Sequence, residues 1–266
     1  VTAKGRVLIV AGSDSGGGAG IQADLKTVAA LGGYGMTAIT ALTAQNTLGV
    51  FGVHPVPAQF VAQQMRVVLA DIGADAIKIG MLGSAAVVAA VADVLDEFPD
   101  IPVILDTVLA STSGHALLDA DGVVLLKQRL IPRAFLVTPN LGEAEILTGI
   151  AAHDIDGMRK AGSAILAFGA ANALIKGGHL EGDRLTDLLV GGDGEAAFEH
   201  EKIESHHTHG TGCTLASAIA TGVALGKRLT EAVGQACLHV IHAIQCAPEL
   251  GNGNGPLGDP RFRRRG

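Results

Sequence analysis

The sequence predicts a doubly wound α/β fold, a mostly parallel central sheet flanked by helices. Three observations lead there. Short apolar runs alternate with longer stretches whose apolar residues recur at helical spacing. The short runs are apolar nearly throughout, as strands covered on both faces are. Glycine or polar residues follow each run, at the place where a strand would end and a ligand would gather.

In chain order, residues 7–11, 36–42, 76–80, 103–105, 135–137 and 173–175 read as buried strands. Ile21, Leu25 and Val28 mark a helix after the first strand. Val87, Val91, Leu95 and Phe98 mark another, and Val233, Cys237, Val240 and Ile244 the last. Two regions break the alternation. Residues 45–56 read as extended chain, and residues 184–190 and 196–202, joined by Gly191-Gly-Asp-Gly194, read as a small hairpin at the sheet edge. The expected organisation is one domain over residues 1–250, then a glycine-rich loop and a basic C-terminal tail over 251–266.

Composition narrows the function. With 266 residues, 48% of them hydrophobic, the chain can bury one substantial core. A formal charge of -7 argues against general affinity for nucleic acid or an anionic membrane, and leaves only the Arg261-Phe-Arg-Arg-Arg265 run as a basic patch. No apolar run approaches the ~20 residues that cross a bilayer, and no secretory leader is expected from the opening residues. Cys213, Cys237 and Cys246 are odd in number and form no CxxC pair, which predicts a cytoplasmic protein without a disulfide framework.

The residues at the strand tips form a coherent set: GSDSGGG at 12–18, Gln45-Asn46, Met81, Asp106-Thr107, Thr138-Pro-Asn140 and Lys176-Gly-Gly178. Carboxylates, amides, an ammonium and glycine loops suit a phosphate with a metal. A Walker A loop is absent, because the Gly226-Lys227 pair is followed by Arg228. Gly18-x-Gly20-x-x-Ala23 matches the loose dinucleotide fingerprint, but no acidic residue follows between Asp24 and Asp71 to hold a ribose. Asp24 itself lies beside Ile21 and Val28, so it either bonds the preceding glycine loop or faces a ligand.

The sharpest chemistry lies at His209-Gly-Thr-Gly-Cys213, before a helical run. First-turn N–H groups and the helix dipole stabilise an anion, and glycines let an oxygen approach closely. That suits a phosphoryl group in transfer, whose catalysis rests on positioning and charge stabilisation. A thiol there is expected to have a lowered pKa. Taken alone, the same residues also suit a glycine-rich helix cap over a small buried thiol. Zinc at His206, His207 and His209, or at His239, His242 and Cys246, lacks a fourth ligand. A cysteine hydrolase would leave Asn140, Glu143 and Lys176 without a use.

Seven blocks in order resemble one family: residues 11–27, 43–47, 78–82 and 105–108, Thr138-Pro-Asn140-x-x-Glu143, Lys176-Gly-Gly-His179 and His209-Gly-Thr-Gly-Cys213. Together they resemble the hydroxymethylpyrimidine and phosphomethylpyrimidine kinases of thiamine biosynthesis, within the ribokinase-like superfamily. The resemblance implies a fold without a separate lid domain and a homodimer. It implies phosphate transfer from Mg-ATP to 4-amino-5-hydroxymethyl-2-methylpyrimidine, then to that monophosphate. Pyridoxal kinase of the same fold is the alternative activity, and a non-catalytic pyrimidine-binding protein a further one.

By the same resemblance Gln45 bonds the aminopyrimidine, with Gly12, Asp24, Met81 and Val108 completing the pocket. Lys176, Asn140 and Thr208 meet the nucleotide. Glu143, Asn140 and Asp106 hold magnesium, partly through water. Gly210, Thr211 and Gly212 form the anion hole, and Cys213 stands where most of the superfamily has Asp, in the role of general base. A base is needed for an alcohol and not for an already charged phosphate, so Cys213 is expected to matter more for the first transfer. Residues 108–115 resemble a flap, with Thr112 and His115 where many relatives carry Lys and Asp.

Overall fold

The computed structural model describes residues 5–110, 117–178 and 184–259. The flap positions Thr112 and His115, His179 and the Arg261–Arg265 run lie outside them. The described residues form one nine-stranded sheet. Its six parallel strands are β1 (Arg6–Asp14), β2 (Tyr34–Asn46), β4 (Ala76–Ile79), β5 (Val103–Leu105), β6 (Leu136–Val137) and β7 (Asn172–Lys176). Strand β3 (Gly49–Pro55) pairs antiparallel with β2 at one edge. Strands β8 (Arg184–Gly191) and β9 (Gly194–Glu201) continue from β7 antiparallel at the other. The order is β3-β2-β1-β4-β5-β6-β7-β8-β9, so the chain winds outward on both sides of β1. The switch point lies between the carboxyl ends of β1 and β4, where such sheets bind ligands.

Two cores cover the two faces. Leu8 and Val10 of β1 face a cluster built with α2 (Ala58–Asp71), α3 (Ala85–Glu97), α5 (Leu141–Thr148) and α6 (Ile155–Ala167). Val7, Ile9 and Ala11 face a second cluster built with α1 (Gly20–Ala30), α7 (Thr211–Ala224) and α8 (Leu229–Gln245). All five side chains are at most 1% exposed, so β1 needs an unbroken apolar run. Side-chain caps start several helices: Ser84 accepts from the Val87 N–H, and Asp154 from that of Gly157.

The six sequence-read strands all occur; β5 has the bounds read, and the other five differ at one or both ends. Strand β2 runs four residues past 42 because its end pairs with β3, so the stretch read as extended chain is the arm of a hairpin turning at Thr47-Leu48. Helix α2 went unread, although Val61, Met65 and Leu69 repeat every fourth residue and are all buried. The loop after residue 250 is no free linker. Gly253 donates to Thr47 Oγ1 at 3.3 Å, Gly258 to the Ala243 carbonyl at 2.9 Å, and Pro256 bridges to His209.

Candidate active site

Two glycine-containing turns meet at the switch point. After β1 the chain turns back into α1, and Gly20 at φ +55 lies so close to the Gly12 carbonyl that a Cβ would collide with it. Gly210, at φ +88, is the N-cap of α7 and packs equally closely on the Gly18 carbonyl. Both positions need glycine for backbone conformation and for contact. The start of α7 is therefore bolted to the first loop. No side chain caps α7; in its first turn the Thr211 N–H is taken by the Thr208 carbonyl.

Asp14 organises the first loop. Its carboxylate accepts from the N–H groups of Gly16 (2.8 Å), Gly18 (3.0 Å) and Ala19 (2.8 Å), and His209 Nε2 lies 3.1 Å from Oδ2. Burial opposes its ionisation, but the His209 contact and those N–H groups hold its pKa below the usual carboxylate range. On the other side of the loop, Gln45 exchanges two bonds with Ser15: its N–H donates to Oγ at 2.8 Å and its carbonyl accepts at 2.9 Å. The Gln45 amide lies between Thr43 and His209. Met81 packs on Gly12, its Cε 2.6 Å from where a Cβ would stand, and its carbonyl accepts from Thr40 Oγ1. Val108 is half-buried at the end of β5 and donates its N–H to the Asp106 carbonyl.

Lys176, at the tip of β7, pairs with Asp106 Oδ1 at 3.2 Å. Burial works against its charge, but Asp106 and Glu143 reverse that and raise its pKa. Gly212 faces this pair: a Cβ there would stand 3.4 Å from Lys176 Nζ and 3.8 Å from an Asp106 oxygen. Asn140 and Glu143 close a capping box at the start of α5. Asn140 Oδ1 accepts from the Glu143 N–H, and Glu143 Oε2 accepts from the Asn140 N–H and from Thr107 Oγ1. This Asn-x-x-Glu spacing thus has a structural role that its sequence signature already carries. Burial leads in raising the Glu143 pKa. Thr208 is half-buried before α7, and its carbonyl accepts from the Thr211 N–H.

Two expectations need correction. Asp24 does not face the cleft, and it does not bond the glycine loop. It is 0% exposed beneath the site, where Lys78 Nζ donates to both its oxygens at 2.9 Å and Ser217 Oγ donates at 2.7 Å. Burial would strip Lys78 of its proton; the Asp24 carboxylate reverses that and raises its pKa. Secondly, the Cys213 thiol is not acidified by the helix terminus. Although the residue is only half-buried, loss of water around the sulfur is the leading effect. Asp24 and Asp106 add to it, against the opposing charge of Lys78, and the pKa is pushed up to about 11.

Sequence reasoning passed over Lys78, whose signal was a lysine inside the apolar run of β4, a place where charge demands a partner. It also gave no role to Asp14 and Thr43, which lie inside the seven blocks, nor to Ser217. Among the described residues no three His, Cys, Asp or Glu side chains are arranged to hold a metal ion. No helix there is long and apolar enough to cross a membrane.

A family model described as phosphomethylpyrimidine kinase matches residues 14–258. The chain belongs to the phosphomethylpyrimidine kinase family. Within it, a thiamine biosynthesis bifunctional protein, ThiED, of Geobacter sulfurreducens is 50% identical over 254 residues; that alignment covers 96% of this chain and 52% of that longer protein. The chain thus spans about half the length of that relative. A hydroxymethylpyrimidine/phosphomethylpyrimidine kinase of Streptomyces coelicolor is 49% identical, with 94% of this chain and 93% of that one aligned. Among solved structures, an ADP complex of Bacillus subtilis pyridoxal kinase superimposes with a TM-score of 0.90 at 33% identity, covering 99% of this chain and all of that one. The family's ribokinase-like α/β fold is the sheet described above. The chain is a kinase.

Proposed function

We propose that this kinase phosphorylates 4-amino-5-hydroxymethyl-2-methylpyrimidine with Mg-ATP, and then phosphorylates the monophosphate to the diphosphate, supplying thiamine biosynthesis. The observation that carries the reading is the convergence at Gly212 of an uncapped helix N-terminus, the Lys176 ammonium and the Asp106 carboxylate. The helix N-terminus and the ammonium stabilise the charge of a transferring phosphoryl group from fixed positions, and the carboxylate suits an accompanying metal ion.

Gly210, Thr211 and Gly212 would hold the transferring group, with Lys176 on the neighbouring nucleotide phosphates and Asn140 and Thr208 beside the nucleotide. Asp106 and Glu143 offer carboxylate oxygens, with Asn140 and the Thr107 and Thr138 hydroxyls around them. This hard-oxygen set fits magnesium, which keeps part of its water shell. When bound, the ion would neutralise charge on the phosphates. Gln45 would bond the aminopyrimidine edge, with Gly12, Met81 and Val108 lining the ring; Asp24 would act from beneath, through Lys78. Cys213 would take the alcohol proton through its small thiolate fraction, while the monophosphate already carries charge and needs no base. A cytoplasmic homodimer is part of the same reading.

The likeness to pyridoxal kinase favours one second reading, since pyridoxal also presents a hydroxymethyl group on a six-membered aza ring. Both are tested by incubating the protein with Mg-ATP and each alcohol, and resolving products over time. The reading requires monophosphate followed by diphosphate from the aminopyrimidine, with a higher kcat/KM than for pyridoxal. A preference for pyridoxal overturns it, and binding without transfer of phosphate to either alcohol removes kinase action on both.

A further inference from the structure

The Gln45 amide has its oxygen 3.1 Å from Thr43 Oγ1 and its nitrogen 3.1 Å from His209 Nε2. In that orientation no protonation state of His209 satisfies every group. If Nε2 carries a proton, the proton belongs to Asp14 Oδ2, also 3.1 Å away, and the Gln45 N–H meets another N–H. If Nε2 is bare, it accepts from Gln45 but confronts a carboxylate oxygen with no proton between them. On the far side, Thr43 Oγ1 already donates its one proton to the Ser13 carbonyl at 2.9 Å, so the Gln45 oxygen meets a lone pair.

Turning the amide through 180° about its last torsion removes all of these conflicts. His209 Nε2–H then donates to Asp14 and to Gln45 Oε1, and Gln45 Nε2–H donates to Thr43 Oγ1. Oδ2 of Asp14 collects the Gly18 and Ala19 N–H groups as well as His209, a set of donors that requires the ionised carboxylate. His209 is itself held in place. Its side chain is 17% exposed, its N–H donates to the Gly255 carbonyl at 3.2 Å, and its ring packs on Gly18 so closely that a Cβ there would stand 2.6 Å from Cδ2. The glycine-rich C-terminal loop thereby holds the His209 backbone.

We propose that Asp14, His209 and Thr43 lock the Gln45 amide with Oε1 toward His209 and Nε2 toward Thr43, and that this fixed donor–acceptor order selects a 4-aminopyrimidine over its 4-oxo counterpart. The inference rests on the proposed role of Gln45 in binding the ring. The remaining lone pair of Oε1 meets the exocyclic amino group, and the second N–H of Nε2 meets the adjacent ring nitrogen. A 4-oxo ring presents the reverse order, a carbonyl and a ring N–H. In the same ring orientation it binds only if the amide turns, which leaves His209 and Thr43 unsatisfied. His209 and Thr43 are positioning residues that act through Gln45.

The test compares kcat/KM for the aminopyrimidine alcohol and for its 4-oxo analogue, using the full chain, His209→Phe and Thr43→Val. Phenylalanine keeps a ring against Gly18 and removes the nitrogens; valine keeps the branched shape and removes the hydroxyl. The wild-type protein is expected to prefer the amino ring by at least about 100-fold, since a site built around one polar pattern strongly rejects the other. His209→Phe should lower that ratio about tenfold and Thr43→Val several-fold, mainly through KM, about what one hydrogen bond to a buried polar group is worth. Turnover of the amino ring with the ratio unchanged in both variants, or a wild-type protein that does not discriminate, overturns the lock and leaves the kinase reading intact. Failure of the wild-type protein to phosphorylate the amino ring overturns the kinase reading and the lock with it. Should His209→Phe not fold, Thr43→Val decides alone.

Discussion

Raising the pH from 8 to 10 should speed phosphorylation of the pyrimidine alcohol about tenfold per unit, while phosphorylation of the monophosphate stays nearly level. The reasoning starts at the Cys213 sulfur. Burial beside Asp24 and Asp106 pushes its pKa up to about 11, against the pull of Lys78. Only about one molecule in a thousand then carries the thiolate at pH 8, and the fraction grows tenfold with each unit until it levels near the pKa. A well-placed general base contributes about 10²–10⁴-fold, so at pH 8 the thiolate route exceeds the unassisted one only for a base near the top of that range, and it gains about tenfold with each further unit. Initial rates for each acceptor across this range, with the wild-type protein and Cys213→Ala, measure the effect. Cys213→Ala should flatten the alcohol profile and cost the first transfer far more than the second. Peptide-resolved alkylation by iodoacetamide should place the Cys213 midpoint above pH 10. A level alcohol profile, equal losses on both acceptors, or alkylation with a midpoint below about 9 would refute the argument and leave Cys213 as packing.

The ion pair under the cleft gives a stability prediction. Lys78→Met leaves the fully buried Asp24 carboxylate without its cation, and should cost about 3–5 kcal/mol in urea unfolding; a loss under about 1 kcal/mol would mean that water reaches the pair. Replacing both partners, as Asp24→Leu with Lys78→Met, should recover much of that loss. At the joint between the two turns, Gly210→Ala imposes φ +88 on a side chain and drives its Cβ into the Gly18 carbonyl. The start of α7 must shift, so kcat/KM should fall about 100-fold on both acceptors, the scale of an ångström's misplacement. Unchanged kinetics in that variant would show that the helix terminus does not position the phosphoryl group.

Much of this molecule is legible in the chain itself, because its signals are local. A strand covered on both faces favours apolar residues throughout, so residues 7–11 of β1 and Val103–Leu105 of β5 stand out as unbroken runs and β4 is interrupted only by Lys78, while helices repeat their apolar residues every third or fourth position. The tips of those strands then name Gly12, Gln45, Met81, Asp106, Asn140 and Lys176 without any coordinates. Local signals also mislead. The helix-terminus argument for an acidic Cys213 was sound for the backbone around it, and failed because packing from distant parts of the chain strips water from the sulfur, with the Asp24 and Asp106 carboxylates adding to that. The same is true of Asp24, which the wheel of α1 brings to the edge of the apolar stripe. Only the meeting of α1, β4 and α7 shows it sealed against Lys78 and Ser217. The Asp14–His209 contact joins residues 195 positions apart, and His209 meets the Gln45 amide across 164 positions. Burial and charge at a point sum contributions from every element that packs there, whereas sequence spacing reports only one element at a time. The chain alone therefore specified the sheet, its order of tips and the chemistry they carry; tertiary packing decided which of those groups face the cleft, which are buried beneath it, and in which protonation state they rest.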